Sequence, residues 1–529
     1  MRKLFLVLVG SAWLPFAGAA EPAQGSVFHD ANGNGLFDQG EDGLPGVLVS
    51  DGEEVVVTDE GGRWELPLGE DVIYFVIQPS GWQVPLNERN LPQFFHIHKP
   101  AGSPEGMRFE GVPPTGPLPE SIHFPLTRSE AGEEFSFFAF GDPQPYSEEQ
   151  VEFFRRDIVE EAKLVEGPVG GVTLGDIVGD DLDLYEPMTA AIAQMGLPWW
   201  QIHGNHDMNF DAASEELADE TFERIFGPAT YAFQIGKVTF LALDNVLYPN
   251  HHTQNRYVGG FMDRQITFIA NLLKHVPEDH LILSMMHIPL FDEDYADTFL
   301  DEHRKRFFAL FEKHPHTLSL SAHTHMQRHH FFHHEHDHWP HVQAPHHHYN
   351  VGTTSGSWWG GALDERGIPE TTMRDGTPNG YAILQFEGNE YRYDYKVANA
   401  PADYQMNVHL TKAVHAGGRT SVNLAVNFFN GSEQAKVEFR VDGESWRSAR
   451  RSERIDPSYA YLALKREFDE APRPGRPLPA PQECFHLWTA RIRADRLEPG
   501  THEVEVRVTD RFGRVFQDQG SFEVLQAIE

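Results

Sequence analysis

The sequence predicts an α/β layered central domain, residues 134–398, between a small N-terminal β-sandwich and a C-terminal immunoglobulin-like β domain. Three observations predict it. At 529 residues the chain exceeds what one hydrophobic core organises, so two to four domains are expected. From Phe135 onward, apolar strands (FSFFAFGD, GGVTLGD, WWQIHGNHD, KVTFLALD, HLILSMMH, TLSLSAHTH) alternate with helix-like stretches such as EEQVEFFRRDIVEEAKLVE, the pattern of a sheet layered with helices. On both sides of that region the apolar period falls to two residues between glycine turns, which is the signature of exposed-face β structure.

In chain order, Arg2 and Lys3, an apolar run from Leu4 to Phe16 and the small residues Ala17–Ala20 have the layout of a cleavable secretory signal, residues 1–20. The run is short for a bilayer span and Pro15 breaks it, and no later stretch is long enough to cross a membrane, so a periplasmic or secreted protein is expected. Residues 21–112 read as a β domain from VLVSDG, EEVVVTDEGGRWELPL and DVIYFVIQP. The proline-rich stretch 113–133 reads as a linker. Residues 399–529 return to two-residue alternation (SVNLAVNFF, AKVEFRVDG, THEVEVRVTD), for which a two-sheet sandwich is the economical solution.

Composition narrows the function. Seventy-nine acidic residues against 42 basic ones give a net charge of −37, which argues against nucleic acid or an anionic membrane as a partner. The one cysteine, Cys484, permits no internal disulfide and has apolar neighbours that favour burial over reactivity. Histidine is unevenly used: residues 329–350 hold ten of the 30.

The chemistry-bearing residues follow the apolar strands: Asp142 and Gln144 in FGDPQP, Asp176 in LGDIVGD, Asn205, His206 and Asp207 in GNHD, His287 in MMHIP, and His323 and His325 in SAHTH. Polar groups at carboxyl strand ends are where α/β sheets gather ligands. Each alone is weak evidence. Their order and combination resemble the calcineurin-like metallophosphoesterases, whose blocks D-x-H, GD, GNH-D/E, H and GH-x-H run along one α/β sandwich. The flanking β domains, the GSWW block and the DGTPNGY block are similar to an exported bacterial branch of that family.

The resemblance implies a four-layer α/β sandwich and a phosphoesterase with two divalent metal ions. Metal 1 would take Asp142, Gln144, Asp176 and His325; metal 2 would take Asp176, Asn205, His287 and His323, with Asp176 shared so that the cations stand about 4 Å apart. It further implies a metal-bridging hydroxide as nucleophile and His206 as proton donor or charge stabiliser. Asp207 either orients His206 or caps a turn. Three positions depart from the family pattern. Gln144 replaces a histidine, and its harder oxygen favours manganese, iron or magnesium over zinc. Gly179 stands where purple acid phosphatases have tyrosine, so their coloured ferric site is not expected. Ala322 replaces the glycine of GH-x-H.

His348, Trp358, Trp359, Asn379 and Tyr381 are expected either to line a substrate pocket or to fill a domain interface. A second metal signal is DANGNGLFDQGE, which sets Asp30, Asn32, Asn34, Asp38 and Glu41, with Gly35, at the oxygen-bearing positions of a calcium loop; a simple Asn/Gly turn is the alternative. The function expected is hydrolysis of a phosphate mono- or diester. Its rival is a non-catalytic surface protein on a degenerate scaffold.

Overall fold

The computed structural model describes residues 22–252, 256–291, 299–333, 345–417, 420–468 and 475–527. The expected signal, 1–20, lies outside these, as does part of the histidine-rich segment. Among the described residues no helix is long and apolar enough to cross a membrane.

Two mixed sheets form the centre. The first runs in the order Trp199–Gln201, Pro168–Thr173, Glu134–Phe140, Gly380–Glu387, Glu390–Val397, parallel in its first three strands and antiparallel in the rest. The second runs Tyr231–Ile235, Val238–Ala242, Leu281–Met285, Thr317–Ser321, His346–Asn350, Arg328–Phe332, with four parallel strands between two antiparallel edges.

Alternation of side chains along one strand explains the layering. In Glu134–Phe140, Phe137 and Ala139 join the core between the sheets, whereas Phe138 and Phe140 face the other way, towards Phe154 and Trp199 under the helices Glu148–Phe154 and Tyr185–Ile192. Between the sheets, Trp200 stacks on Phe233 at 4.0 Å and Phe233 on Phe240 at 4.5 Å. Each such buried ring contributes about 1.5–3 kcal/mol. On the far side of the second sheet the helix Asp301–Ala309 sets Phe308 against Phe332 and His346.

The N-terminal region forms two four-stranded sheets and shares its core with the centre. Phe94 packs on Trp200 and Tyr231, and the Gln234 amide donates to the Gln78 carbonyl at 2.8 Å. One expectation is corrected. Ile122–Arg128, inside the stretch read as a linker, is a strand paired in parallel with Ala23–His29, so 113–133 completes the N-terminal sheet rather than leaving it. Pro125 misled the reading, because a sheet position tolerates proline when the ring needs no donor there. The C-terminal strands form two sheets around a shared core with Trp488, Val506 and Phe522. Cys484 is free and fully buried, and burial raises its thiol well above the ordinary range.

Candidate metal centre

The carboxyl ends of strands in both central sheets meet at one edge, where Gly141 bridges to Thr353. Five of the seven expected ligands have left-handed backbones there: Asp142 (φ 33°), Gln144 (39°), Asp176 (49°), His323 (70°) and His325 (53°). Such conformations cost about 1–3 kcal/mol each in a non-glycine residue, and they gather where a loop must aim a side chain. Glycine makes the approach feasible. A Cβ on Gly204 would lie 2.1 Å from the Asp176 amide nitrogen and 2.5 Å from its Oδ1.

Two knots of electron-pair donors result. In the first, His287 donates from Nδ1 to the Leu174 carbonyl (2.8 Å), leaving a lone pair on Nε2. That nitrogen stands 3.0 Å from Asn205 Oδ1, 3.2 Å from Asp176 Oδ1 and 3.1 Å from His323 Nδ1. In the second, His325 donates from Nδ1 to the Gly356 carbonyl (2.6 Å), and its Nε2 lies 2.9 Å from Gln144 Oε1 and 3.8 Å from Asp142 Oδ1. The Gln144 amide nitrogen is committed to the Tyr146 hydroxyl (3.1 Å), so its oxygen points inward. Asp142 Oδ2 accepts from the His323 amide (2.9 Å), while its buried Oδ1 has no partner.

Acceptors facing acceptors at about 3 Å repel unless a cation lies between them, so these residues fit bound metal. Asp176, His287 and His323 are, among the described residues, the one group of three such ligand atoms lying within 4.8 Å of one another. Protonation follows the same logic. Burial holds His323 and His325 down to about 3, so both offer lone pairs. Burial opposes charge on His287 too, but the Asp176 carboxylate beside it prevails and raises it to about 9, so that without a cation a proton occupies Nε2 in its place. Burial pushes Asp142 well above the usual carboxylate range. It opposes the charge of Asp176 as well, yet His287 and His206 hold that carboxyl far below it.

His206 stands at the mouth, its side chain 26 % exposed, with its amide bonded to Asp176 Oδ1 (2.9 Å). Its orienting partner is Asp180, at 2.7 Å from Nδ1, and not Asp207. Asp207 is fully buried and takes the amides of Gly204 and Ile177 and the Tyr185 hydroxyl, which ties the two ligand loops together. This corrects the orienting role in favour of a structural one. Burial lowers His206, but Asp176 and Asp180 outweigh it and raise it to about 9.

Of the five expected pocket residues, only Trp358 reaches the site, stacked on His325 at 4.0 Å under the Arg374 guanidinium. Trp359 donates to the Pro143 carbonyl (2.8 Å) and fixes the Asp142–Gln144 turn from behind. Asn379 bonds to Asp157 and the Thr354 carbonyl, Tyr381 packs on Phe138 and Phe140, and His348 sits between two serines in the sheet. These four are corrected to structural positions. Two residues that sequence reasoning missed are Asp180, which closes the same LGDIVGD motif, and Tyr146, whose ring fills the space beside Gly179 and approaches His206 at 6.1 Å. The first had a signal, an acid four residues past Asp176. The second had none.

The loop Asp30–Glu41 is closed by its own hydrogen bonds. Asp30 accepts from Gly33, Asn34 and Gly35, the amides of Asn32 and Asn34 donate to Asp38, and Glu41 accepts from Ala31 and Asp38.

Comparison with known proteins finds likeness on either side of the motifs. Residues 31–113 match the model for the N terminal, and residues 348–516 the model for the C terminal, of calcineurin-like phosphoesterase. Towards both ends the chain is therefore similar to calcineurin-like phosphoesterases. All seven expected ligands fall between the two matched stretches, so their roles rest on the geometry above. No curated protein matches it. Among solved structures, a purple acid phosphatase from yellow lupin (Lupinus luteus) seeds is 13 % identical over 66 % of this chain and 67 % of that one, with a TM-score of 0.35. An endo-beta-1,4-mannanase from Thermotoga petrophila is 9 % identical over 75 % and 99 %, with a TM-score of 0.27.

Proposed function

We propose that this chain is an exported calcineurin-like phosphoesterase that hydrolyses phosphate mono- or diesters at a centre of two divalent cations. The observation that carries the reading is the pair of facing acceptor knots on either side of Asp176. Asp142, Gln144 and His325 would hold one ion and Asn205, His287 and His323 the other, with Asp176 reaching both. Bound cations there supply Lewis-acid charge for a phosphoryl group and lower the pKa of water.

The chain's own residues do the rest. His206, carrying its proton at neutral pH and held by Asp180, faces the open side and delivers that proton to the leaving oxygen. Trp358 and Arg374 form one wall, where a guanidinium can meet a phosphate ester. Gln144 supplies an oxygen where imidazole would favour zinc, so manganese, iron or magnesium is the expected occupant. Export rests on the charged, apolar and small-residue layout of residues 1–20.

The test is turnover of a panel of phosphate mono- and diesters by metal-stripped protein reloaded with manganese or zinc. Manganese should restore the greater rate. Asp176→Asn should lose bound metal and at least about a thousandfold in rate, which metal analysis and kinetics report together. Two ions retained with near-normal turnover would overturn the assignment.

A further inference from the structure

The N-terminal sheets and the central domain flank an open cavity of about 350 Å³. One wall is the turn Asp51–Glu53 with the strand Val72–Ile77, and the other is the segment around Glu216–Glu223 with Asp244 and the start of the helix Asp263–Leu273. Seven carboxylates line it against one guanidinium, that of Arg264. In so acidic a chain, charge alone means little, and burial is what matters.

Asp219 is 5 % exposed, does not cap the helix it precedes, and has no hydrogen-bond or ion-pair partner for its carboxylate among the described residues. Neighbouring Glu220 shows the contrast, because it points away and is bonded to Lys99 and Ser103. Asp244 commits one oxygen to His203 (3.2 Å) and to the Val246 amide (3.0 Å). Burial, opposed by His203 and Arg264 and aided by Asp244, lifts Asp219 to about 6; burial and Asp219, opposed by Lys99 and Arg264, carry Glu223 well above the carboxylate range. Buried carboxylates without a direct ion-pair contact are stabilised by a cation that enters from outside.

Spacing decides which cation. A metal ion needs several oxygens about 2.3–2.6 Å from it, hence close to one another. Among the described residues the one tight group of three is Asp176, His287 and His323, so the acids of this cavity stand too far apart for a single ion. The volume suits a small organic molecule, and Ile73, Phe75 and Met262 add apolar surface between the acids. Separated acids around an apolar middle match ammonium groups joined by methylenes.

We propose that this cavity binds an aliphatic diamine or polyamine, one ammonium group at Asp219 and Glu223 and the other at the Asp51–Glu53 turn. Calorimetric titration of the full chain with 1,4-diaminobutane tests it, beside n-butylamine, calcium and manganese. One diamine should bind per chain, at least about tenfold more tightly than butylamine, and Asp219→Asn and Glu223→Gln should each weaken it by about tenfold or more. Exposed Glu60→Gln should change nothing. Circular dichroism shows whether each variant folds, and if Asp219→Asn does not, Glu223→Gln and the parent titration decide. Absence of diamine binding at millimolar concentration, equal binding in both variants, or binding of calcium or manganese that depends on Asp219 would overturn the proposal.

Discussion

Two groups of histidines grow from the same strands and behave in opposite ways. At the end of Thr317–Ser321, His323 and His325 sit on left-handed turns with Nδ1 of His323 and Nε2 of His325 aimed at other acceptors. Along the paired strand His346–Asn350, His346 lies between Ser319 and Thr317 and His348 between Ser319 and Ser321. Hydroxyls both donate and accept, so they satisfy a neutral imidazole fully. His325 is as deeply buried as His346 and His348, so burial does not separate the groups. What separates a ligand from a core residue is whether the second nitrogen meets a group that can donate to it.

The largest effect that would break this comparison lies at His206, which belongs to neither group. If it protonates the leaving oxygen, His206→Gln keeps both metals and lowers kcat/KM about 10²–10⁴-fold with alkyl phosphate esters, and far less with nitrophenyl esters. Asp180→Asn should follow the same pattern more weakly, because it removes the partner that holds the ring. A uniform loss across leaving groups assigns His206 to charge stabilisation, and loss of metal makes it a ligand.

The second prediction tests the core group through pH. Burial holds His329 and His346 down to about 3 and His347 and His348 well below the ordinary imidazole range. Each is neutral when folded and takes up a proton on unfolding below about pH 6.5. The stability they contribute is therefore present above that pH and lost as pH falls towards 3, by up to about 1.4 kcal/mol per pH unit for each. Melting temperature should drop steeply across that window. His346→Gln should flatten the drop and leave metal content and kcat at neutral pH unchanged, whereas His325→Gln should lower both metal content and kcat.

Much of this site was legible because ligand motifs occupy strand ends, and the order of five blocks survives without knowledge of any contact. Orientation was not legible. His348 and Trp359 sit beside pocket-like positions in sequence, yet strand alternation and one reversed turn send them into the sheet and behind the Asp142–Gln144 turn. Asp207 follows His206, but successive residues on a turn face apart, so the acid that reaches the imidazole comes from position 180. The strand Ile122–Arg128 was hidden by its proline, since its pairing is with residues about a hundred positions earlier.

The smallest expected effect concerns a third polar cluster, the loop Asp30–Glu41, which resembles the satisfied histidines more than the ligands. Asn32 and Asn34 turn their amide nitrogens to Asp38, and these hydrogen bonds hold that exposed carboxyl below its usual range. Calcium would need the two amides to rotate so that their oxygens join Asp30, Asp38 and Glu41 around the ion. That exchange trades two exposed, charge-assisted hydrogen bonds for ion contacts, so the net gain is modest and occupancy depends on the calcium concentration. At millimolar calcium the full chain should gain on the order of 1–3 kcal/mol in the N-terminal transition, seen as a rise in melting temperature that magnesium does not reproduce. Asp30→Ala should abolish the rise and, by freeing three loop amides, lower the melting temperature without calcium as well. Asn32→Ala separates the readings, because it removes a ligand oxygen but only one hydrogen bond to Asp38: lost calcium response with near-parent baseline stability marks an ion site, and an unchanged response marks a self-sufficient turn.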